Sequence, residues 1–303
     1  MLLKKLNKLI LIFFISWLKI NSLSAQADIL IFSYNRPLQL YTLLESIEKY
    51  VKNSNIIYIL YRASDNNYQN AYDRVYEKFP HTLFIKQSVT PTYNDFKDLT
   101  LDIFKRAQTN YILFAVDDII VKDYCDLAEC VHYLEKTKCY AFYLKMGLHL
   151  KECYAHLKLN LPGGIQPVPP YTVIAKNLFS WSFSHGISDW NYPQTVDLTL
   201  YRISDIYPVL EKLNFNSPNT LEQLWSQTPP LHPKGLFYAE SKMVNLPLNM
   251  VQTDWANPTL NAFTPQDLLE KFNQGLKFDI RPYHQILNKD VHIDEPLPTF
   301  IQR

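Results

Sequence analysis

Apolar residues recur along this chain with two alternating patterns. Residues 28–33, 56–61 and 111–116 are near-continuous apolar runs bounded by polar residues, and 82–85 is a shorter run of the same kind. Such runs predict strands buried on both faces. Between them, Leu40, Leu44, Ile47 and Val51 recur at helical spacing behind Pro37, a residue suited to the first helical position. Tyr72, Val75 and Phe79 mark a second helix. Phe96, Leu99, Ile103 and Ala107 mark a third, which Thr92-Tyr93-Asn94-Asp95 would open with threonine as the N-cap and an acid three residues on. The resulting order, β-α-β-α-β-α-β, predicts an α/β fold: an open, mostly parallel sheet flanked by helices, with right-handed crossovers. Ligands of such sheets bind at the carboxyl ends of the strands. Ser33-Tyr34-Asn35-Arg36, Asp65 and Asp117-Asp118 all fall at such ends.

Beyond residue 123 the pattern predicts a helix to about Lys136. An aromatic-rich, weakly periodic stretch follows over 140–201, then short helices at 207–213 and 221–225. Thr264-Pro265 caps a last helix through Leu268, Leu269 and Phe272, and Gly275 stops it. No internal repeat is present. This reads as a single domain over 28–300, with a nucleotide-binding half at 28–123 and a second, acceptor-side half at 124–300 on the same sheet.

The first residues read differently. Lys4, Lys5 and Lys8 precede an apolar run over 9–18, and Ser24-Ala25-Gln26-Ala27 supplies small residues for a peptidase. This predicts a signal peptide over 1–27 and export of the chain. The alternative is an uncleaved anchor that holds the chain near a membrane, although the run is shorter than the ~20 residues of a bilayer span.

Composition narrows the chemistry. Apolar residues make up 47% of the chain and charged residues 19%, a globular balance. Thirty basic and 29 acidic side chains nearly cancel, so no basic excess points to nucleic acid. Six glycines form neither G-x-G-x-x-G nor G-x-x-x-x-G-K-[ST], against a dinucleotide dehydrogenase or a P-loop NTPase. Cys125, Cys130, Cys139 and Cys153 contain no C-x-x-C pair, which disfavours zinc. They are read either as disulfide partners or as buried free thiols.

Asp117 and Asp118 end a buried strand that has no other polar group. Adjacent carboxylates repel unless a cation or water relieves them. Mn2+ or Mg2+ suits one or two carboxylates plus phosphate oxygens, and would neutralise a diphosphate leaving group. The plain alternative is a solvated turn in which one acid caps the next helix.

Ile31-Phe32-Ser33-Tyr34-Asn35-Arg36-Pro37 and Phe114-Ala115-Val116-Asp117-Asp118 resemble the two hallmarks of GT-A-type glycosyltransferases, especially family-2-like ones. Tyr61-Arg62-Ala63-Ser64-Asp65 resembles their second-strand turn, which holds base and ribose. Asp189-Trp190-Asn191-Tyr192-Pro193 with Val196-Asp197, Ser217-Pro218-Asn219-Thr220-Leu221-Glu222, Pro247-Leu248-Asn249-Met250-Val251-Gln252 and Val291-His292 resemble segments of uncharacterised bacterial members. Two departures stand out. Adjacent acids replace the spaced Asp-x-Asp, and Leu198-Thr199 stands where such relatives carry Gly-His. The resemblance implies transfer of a sugar from a nucleotide-sugar donor to a carbohydrate or glycan acceptor. It implies nucleotide contacts from Ser33, Asn35, Arg36, Asp65 and Asp117, and metal ligation by Asp118, Asp117 and His292.

Arg36 suits a phosphate, with a surface arginine at a helix start as the alternative. Asp65 is equally suited to forming a turn. An inverting transferase needs a base for the acceptor hydroxyl, and Asp197 and Glu222 are the candidates. For Glu222, an early-helix capping role competes. Trp190 and Tyr192 suit the face of an acceptor sugar, or else the core. Export keeps a second reading open, a non-catalytic sugar- or nucleotide-binding protein on the same fold. A third is a nucleotidyltransferase on a doubly wound sheet, since fold alone does not decide function.

Overall fold

In a computed structural model, residues 26–303 are described, except Pro91, Thr253 and Ala256. The leader-type segment up to residue 25 lies outside the described residues. Ala27, on the leader side of the expected cut, is fully buried and opens the first strand.

The alternating runs fold as their pattern predicts. β1 (Ala27–Tyr34) pairs in parallel with β2 (Ser54–Arg62) on one side and with β4 (Tyr111–Val116) on the other. β3 (Leu83–Lys86) extends the parallel set beyond β2. The crossovers carry α1 (Pro37–Tyr50), α2 (Asn66–Lys78) and α3 (Phe96–Arg106). Asp28 pins the amino ends of these strands. Its buried carboxylate accepts from the amides of Ile56 (3.0 Å), Gln108 (2.8 Å) and Thr109 (3.2 Å), and from Asn55 Nδ2 (2.8 Å). A buried carboxylate with that many donors is well satisfied.

One boundary differs from the sequence reading. Thr92 is exposed and caps nothing. Val89–Thr90 and Tyr93–Asn94 form a small antiparallel ladder instead, and α3 starts at Phe96 behind Asp95. Asp95 accepts the Ser88 amide through both carboxylate oxygens, so its side chain closes this hairpin rather than capping the helix.

The sheet does not stop at β4. Past the short β5 (Ile119–Val121) and α4 (Leu127–Thr137), the chain adds β6 (Ala141–Tyr143). After α5 (Tyr154–Lys158) come β7 (Tyr171–Ala175), β8 (Leu178–Ser182) and β9 (Thr199–Arg202). α6 (Ile203–Leu210) and α7 (Pro218–Ser226) then lead to β10 (Lys234–Tyr238) and β11 (Met243–Asn245). The result is a nine-stranded sheet in the order β7-β8-β10-β6-β9-β4-β1-β2-β3. β9 runs antiparallel against β4, which joins the mixed half to the parallel half. The final helix, α8 (Pro265–Asn273), has the expected Thr264 cap, closed as a box with Asp267, and Gly275 follows at φ +82°.

The aromatic stretch builds the core of the mixed half. Trp181 and Trp190 meet edge-on at 5.3 Å, and Phe237 packs against both. Trp181 Nε1 donates to the Trp190 carbonyl at 2.8 Å. Tyr143 and Tyr201 both donate to the Pro193 carbonyl, at 2.8 and 2.7 Å, and the Tyr201 hydroxyl accepts the Thr195 amide at 3.0 Å. These bonds fix the strand-like segment 193–197. All four cysteines are buried free thiols, so the disulfide alternative does not hold. Among the described residues no helix is long and apolar enough to cross a membrane.

Because Trp190 has no exposed surface, Trp190→Ala is expected to lower unfolding stability by about 3–5 kcal/mol in denaturant titration. A surface sugar platform would lose far less, about 0.5 kcal/mol.

Candidate active site

A cleft of about 670 Å³ opens at the carboxyl ends of β1, β2 and β4. Ser33, Arg36, Asp117, Asp118, Tyr192, Asp197, Glu222 and His292 line it together, although up to 259 residues separate them (292 − 33).

Its floor is an ion cluster. Arg36 Nη1 donates to Asp117 Oδ1 at 3.0 Å and to Asp118 Oδ2 at 2.9 Å. Arg36 Nε donates to Asn249 Oδ1 at 3.0 Å, and Nη2 to the Asn249 carbonyl at 2.5 Å. Arg36 is 9% exposed, so this guanidinium is a structural cation shared by two acids. The expectation of a phosphate contact is corrected to that extent: its donors are engaged by protein. The second oxygen of Asp117 accepts the Tyr34 amide at 3.1 Å. Burial pushes the Asp117 carboxyl up to about 6, with Arg36 opposing and Asp118 adding, so it stays ionised at neutral pH.

Asp118 is the more exposed member of the pair in the cleft. Its side chain is 15% exposed against 5% for Asp117. Asn245 Nδ2 holds its Oδ1 at 2.9 Å. The same Asn245 pairs through its backbone with the 291–293 segment, which brings His292 alongside. The His292 ring stacks on Tyr154, centroid to centroid at 6.0 Å.

The other donor-side candidates divide. Ser33 Oγ lies 2.7 Å from Tyr72 Oη, and that hydroxyl accepts the Arg36 amide at 3.1 Å. Asn35, at φ +51°, clasps Ser64 with both ends of its amide, which joins the β1 turn to the β2 turn. Asp65 is an exposed N-cap of α2, accepting the amides of Asn67 and Tyr68, and does not line the cleft. Its turn-forming alternative is the one realised.

Asp197, just before β9, and Glu222, from α7, come together in the same cleft. Glu222 does not cap its own helix, because Ser217 and Thr220 do that. Glu222 Oε1 instead accepts the Val196 amide at 2.6 Å. Burial, then the neighbouring Asp197, pushes its carboxyl up to about 7, against the pull of Lys145. Tyr192 lines the cleft. Trp190 does not; it lies in the aromatic core, which corrects its assignment to an acceptor, since no ligand reaches it.

Several residues that matter here had no role assigned from sequence. Lys145 follows the apolar run of β6, and a charge directly after a buried strand was the available signal. Arg62 lies over the Tyr34 ring at 4.6 Å and, among the described residues, has no ion pair. Asp189 and Asn249 sit inside segments noted above only for their resemblance. The cleft thus carries the cations Arg36, Arg62 and Lys145 against six carboxylates: Asp117, Asp118, Asp189, Asp197, Glu222 and Asp254. Among the described residues no set of three His, Cys, Asp or Glu side chains could hold a metal by itself.

A mixed α/β sheet with an acidic cleft at the carboxyl ends of its parallel strands is the architecture expected from the GT-A resemblance. In sequence the chain is similar to the bifunctional glycosyltransferase pgtA of Dictyostelium discoideum, 25% identical over 88% of this chain and 38% of that protein. That similarity bears out the glycosyltransferase resemblance carried by the motifs, while the chain spans well under half the length of this relative. No family model matches. Looser likenesses link it to residues 1–349 of TarS from S. aureus (TM-score 0.42, 12% identity, 72% of this chain and 59% of that one). Another is to the mannosyltransferase PcManGT from Pyrobaculum calidifontis, in complex with GDP-Man and Mn2+ (TM-score 0.38, 10% identity, 72% and 58%). Overlaps this loose carry no weight beside the chain's own geometry.

The raised Glu222 carboxyl has a consequence for stability. A folded-state value near 7 against an ordinary 4.5 means that the folded chain holds the extra proton between those values. The associated stability is fully present below about pH 4.5 and lost as pH rises through about 7. Glu222→Gln is expected to flatten the fall in unfolding free energy between about pH 5 and pH 8 by on the order of 2 kcal/mol. An unchanged slope in denaturant titrations across that range would show Glu222 to be an ordinary solvated acid.

Proposed function

We propose that this protein transfers a sugar from a nucleotide-sugar donor to a hydroxyl of a carbohydrate or glycan acceptor, with a divalent cation on the donor side. The observation that carries this reading is the sharing of one cleft by two groups of side chains: Asp118 with His292, and Asp197 with Glu222.

Charge supports the cation. With six acidic side chains against three cations, the cleft disfavours a bare diphosphate, and among the described residues Asp118 and His292 are the pair that suits a metal at the donor end. One carboxylate and one imidazole fit a Mn2+ or Mg2+ ion whose remaining ligands are water and substrate phosphate. Asp117 fits less well, since both its oxygens are held by Arg36 and Tyr34 and it is nearly sealed from the cleft. A bound Mn2+ or Mg2+ would supply positive charge against the negative charge that develops on the departing diphosphate.

The chain's own groups do the rest. Arg62, stacked on Tyr34, offers an uncommitted guanidinium to the donor nucleotide or its phosphates. Tyr192 presents an aromatic face to the acceptor sugar. Asp197 accepts the proton of the acceptor hydroxyl. The acceptor oxygen then bonds to the anomeric carbon, whose bond to the diphosphate oxygen breaks, and the nucleoside diphosphate leaves with that electron pair. The leader-type pattern of the first residues supports a location outside the cytoplasm or at a membrane.

Two substitutions test the two groups. Thermal shift with UDP or GDP should show stabilisation that requires Mn2+ or Mg2+, and Asp118→Asn should abolish it while leaving the unliganded melting temperature nearly unchanged. Equal nucleotide affinity of mutant and native protein in Mn2+ would reject Asp118 as a ligand. Asp197→Asn should keep nucleotide affinity and lower turnover by about 10²–10⁴-fold. If the native protein binds nucleotide but consumes none of the common sugar nucleotides, a non-catalytic binding protein is the better reading.

A further inference from the structure

Lys145 is 2% exposed, among the most buried charges in the chain. A buried ammonium is unfavourable unless opposite charge and hydrogen bonds meet it. Its Nζ donates to Thr195 Oγ1 at 3.2 Å and lies 3.8 Å from Asp197 Oδ2. The second distance is too long for a hydrogen bond, so the ammonium acts on Asp197 as a point charge. The titratable groups facing this spot are few. Tyr192 and Asp197 come from the 192–197 segment, Glu222 from α7 and Tyr201 from β9, and Lys145 is the one cation among them. Two carboxyls therefore share one ammonium. Their charges balance only if one carboxyl keeps its proton.

The backbone fixes which one. The Leu144 amide donates to the Leu198 carbonyl at 3.1 Å, so the residue before Lys145 is bonded to the residue after Asp197. Leu198 is fully buried and held at φ +35°. A branched side chain in the left-handed region is strained, and it persists only where its surroundings over-determine it. The ammonium is thereby locked against Asp197. Glu222, from α7, is held by the Val196 amide.

We propose that Lys145 is a positioning residue that keeps Asp197 ionised and leaves the proton of the carboxyl pair on Glu222, so that Asp197 alone is poised to take a proton from the acceptor. This rests on the transferase reading above for its catalytic consequence, but its electrostatic content stands on the free protein.

The test uses the full chain and the variants Lys145→Met, Lys145→Arg, Glu222→Gln and the double variant Lys145→Met/Glu222→Gln. The first readout is carboxyl 13C NMR of Asp- and Glu-labelled protein across about pH 4–9 without any substrate, with Asp197→Asn and Glu222→Gln to assign the signals. Lys145→Met should move the Asp197 midpoint up by about one pH unit, Lys145→Arg should leave it near the native position, and the double variant should bring it back down. The second readout is the pH profile of sugar-nucleotide turnover in Mn2+. The acid limb should shift upward by about one unit in Lys145→Met, roughly a tenfold loss on that limb, and return in the double variant. A midpoint that stays put in Lys145→Met, or a loss of rate equal at every pH, overturns the proposal. If Lys145→Met does not fold, Glu222→Gln decides: an Asp197 midpoint that stays at its native position supports the assignment, and one that falls by about one pH unit or more shows that the native proton sits on Asp197 and rejects it. Should the native protein turn over no donor, the transferase reading fails while the NMR titration still decides the role of Lys145.

Discussion

Two adjacent carboxylates at the end of a buried strand cannot both stay charged in a protein interior without a cation, and Arg36 is that cation here. Its guanidinium bridges Asp117 and Asp118 while its other edge grips Asn249. The cluster therefore fastens three remote pieces of chain: the turn after β1, the end of β4 and the 246–252 segment. Asp117 is nearly buried and Asp118 is left partly exposed, so Asp118 is the carboxylate of the pair more open to the cleft. Asn245 then orients that carboxylate and, through its backbone, carries His292 beside it.

The segment that carries Asp197 depends on a different device. Tyr143 and Tyr201, from neighbouring strands of the mixed half, converge on the Pro193 carbonyl and hold the 193–197 segment. The tryptophan and phenylalanine rings behind them supply the packing that makes this segment rigid. Rigidity matters because the segment ends in Asp197 and its amide at Val196 holds Glu222. Backbone residues in the left-handed region stand beside the cleft: Asn35 next to Arg36, Ser188 next to Asp189 and Leu198 next to Asp197. Such conformations persist when the surrounding structure over-determines them.

The excess of carboxylates shapes what the cleft can bind. An anionic ligand enters only with a cation, and a neutral sugar enters past acids that can accept its hydroxyl hydrogens. The two acidic groups thus differ in their counter-charge: Asp117 and Asp118 share the Arg36 guanidinium, and Asp197 and Glu222 share the Lys145 ammonium.

How far the sequence reached can be read from particular residues. The four apolar runs are periodic local signals, and they determined the parallel strands, their order of appearance and the placing of Asp117-Asp118 at a strand end. The Thr264 cap and the Gly275 stop were equally local. Other features were decided only by tertiary structure. Thr92 looked like a cap, but a hairpin that depends on Asp95 and Ser88 took its place. Asp65 was legible as either ligand or cap, and only its two amide partners chose. Trp190 and Tyr192 sit two residues apart in one aromatic stretch, yet Trp190 packs on Trp181 and Phe237 in the core and Tyr192 lines the cleft, a distinction made only by the packing of the chain. Lys145 meets Asp197 across 52 residues (197 − 145), and Arg36 meets Asn249 across 213. Periodicity reports which face of an element is buried, because burial repeats with the backbone's own period. Which charges meet depends on how the elements pack, and that information belongs to pairs of distant residues rather than to any one stretch of chain.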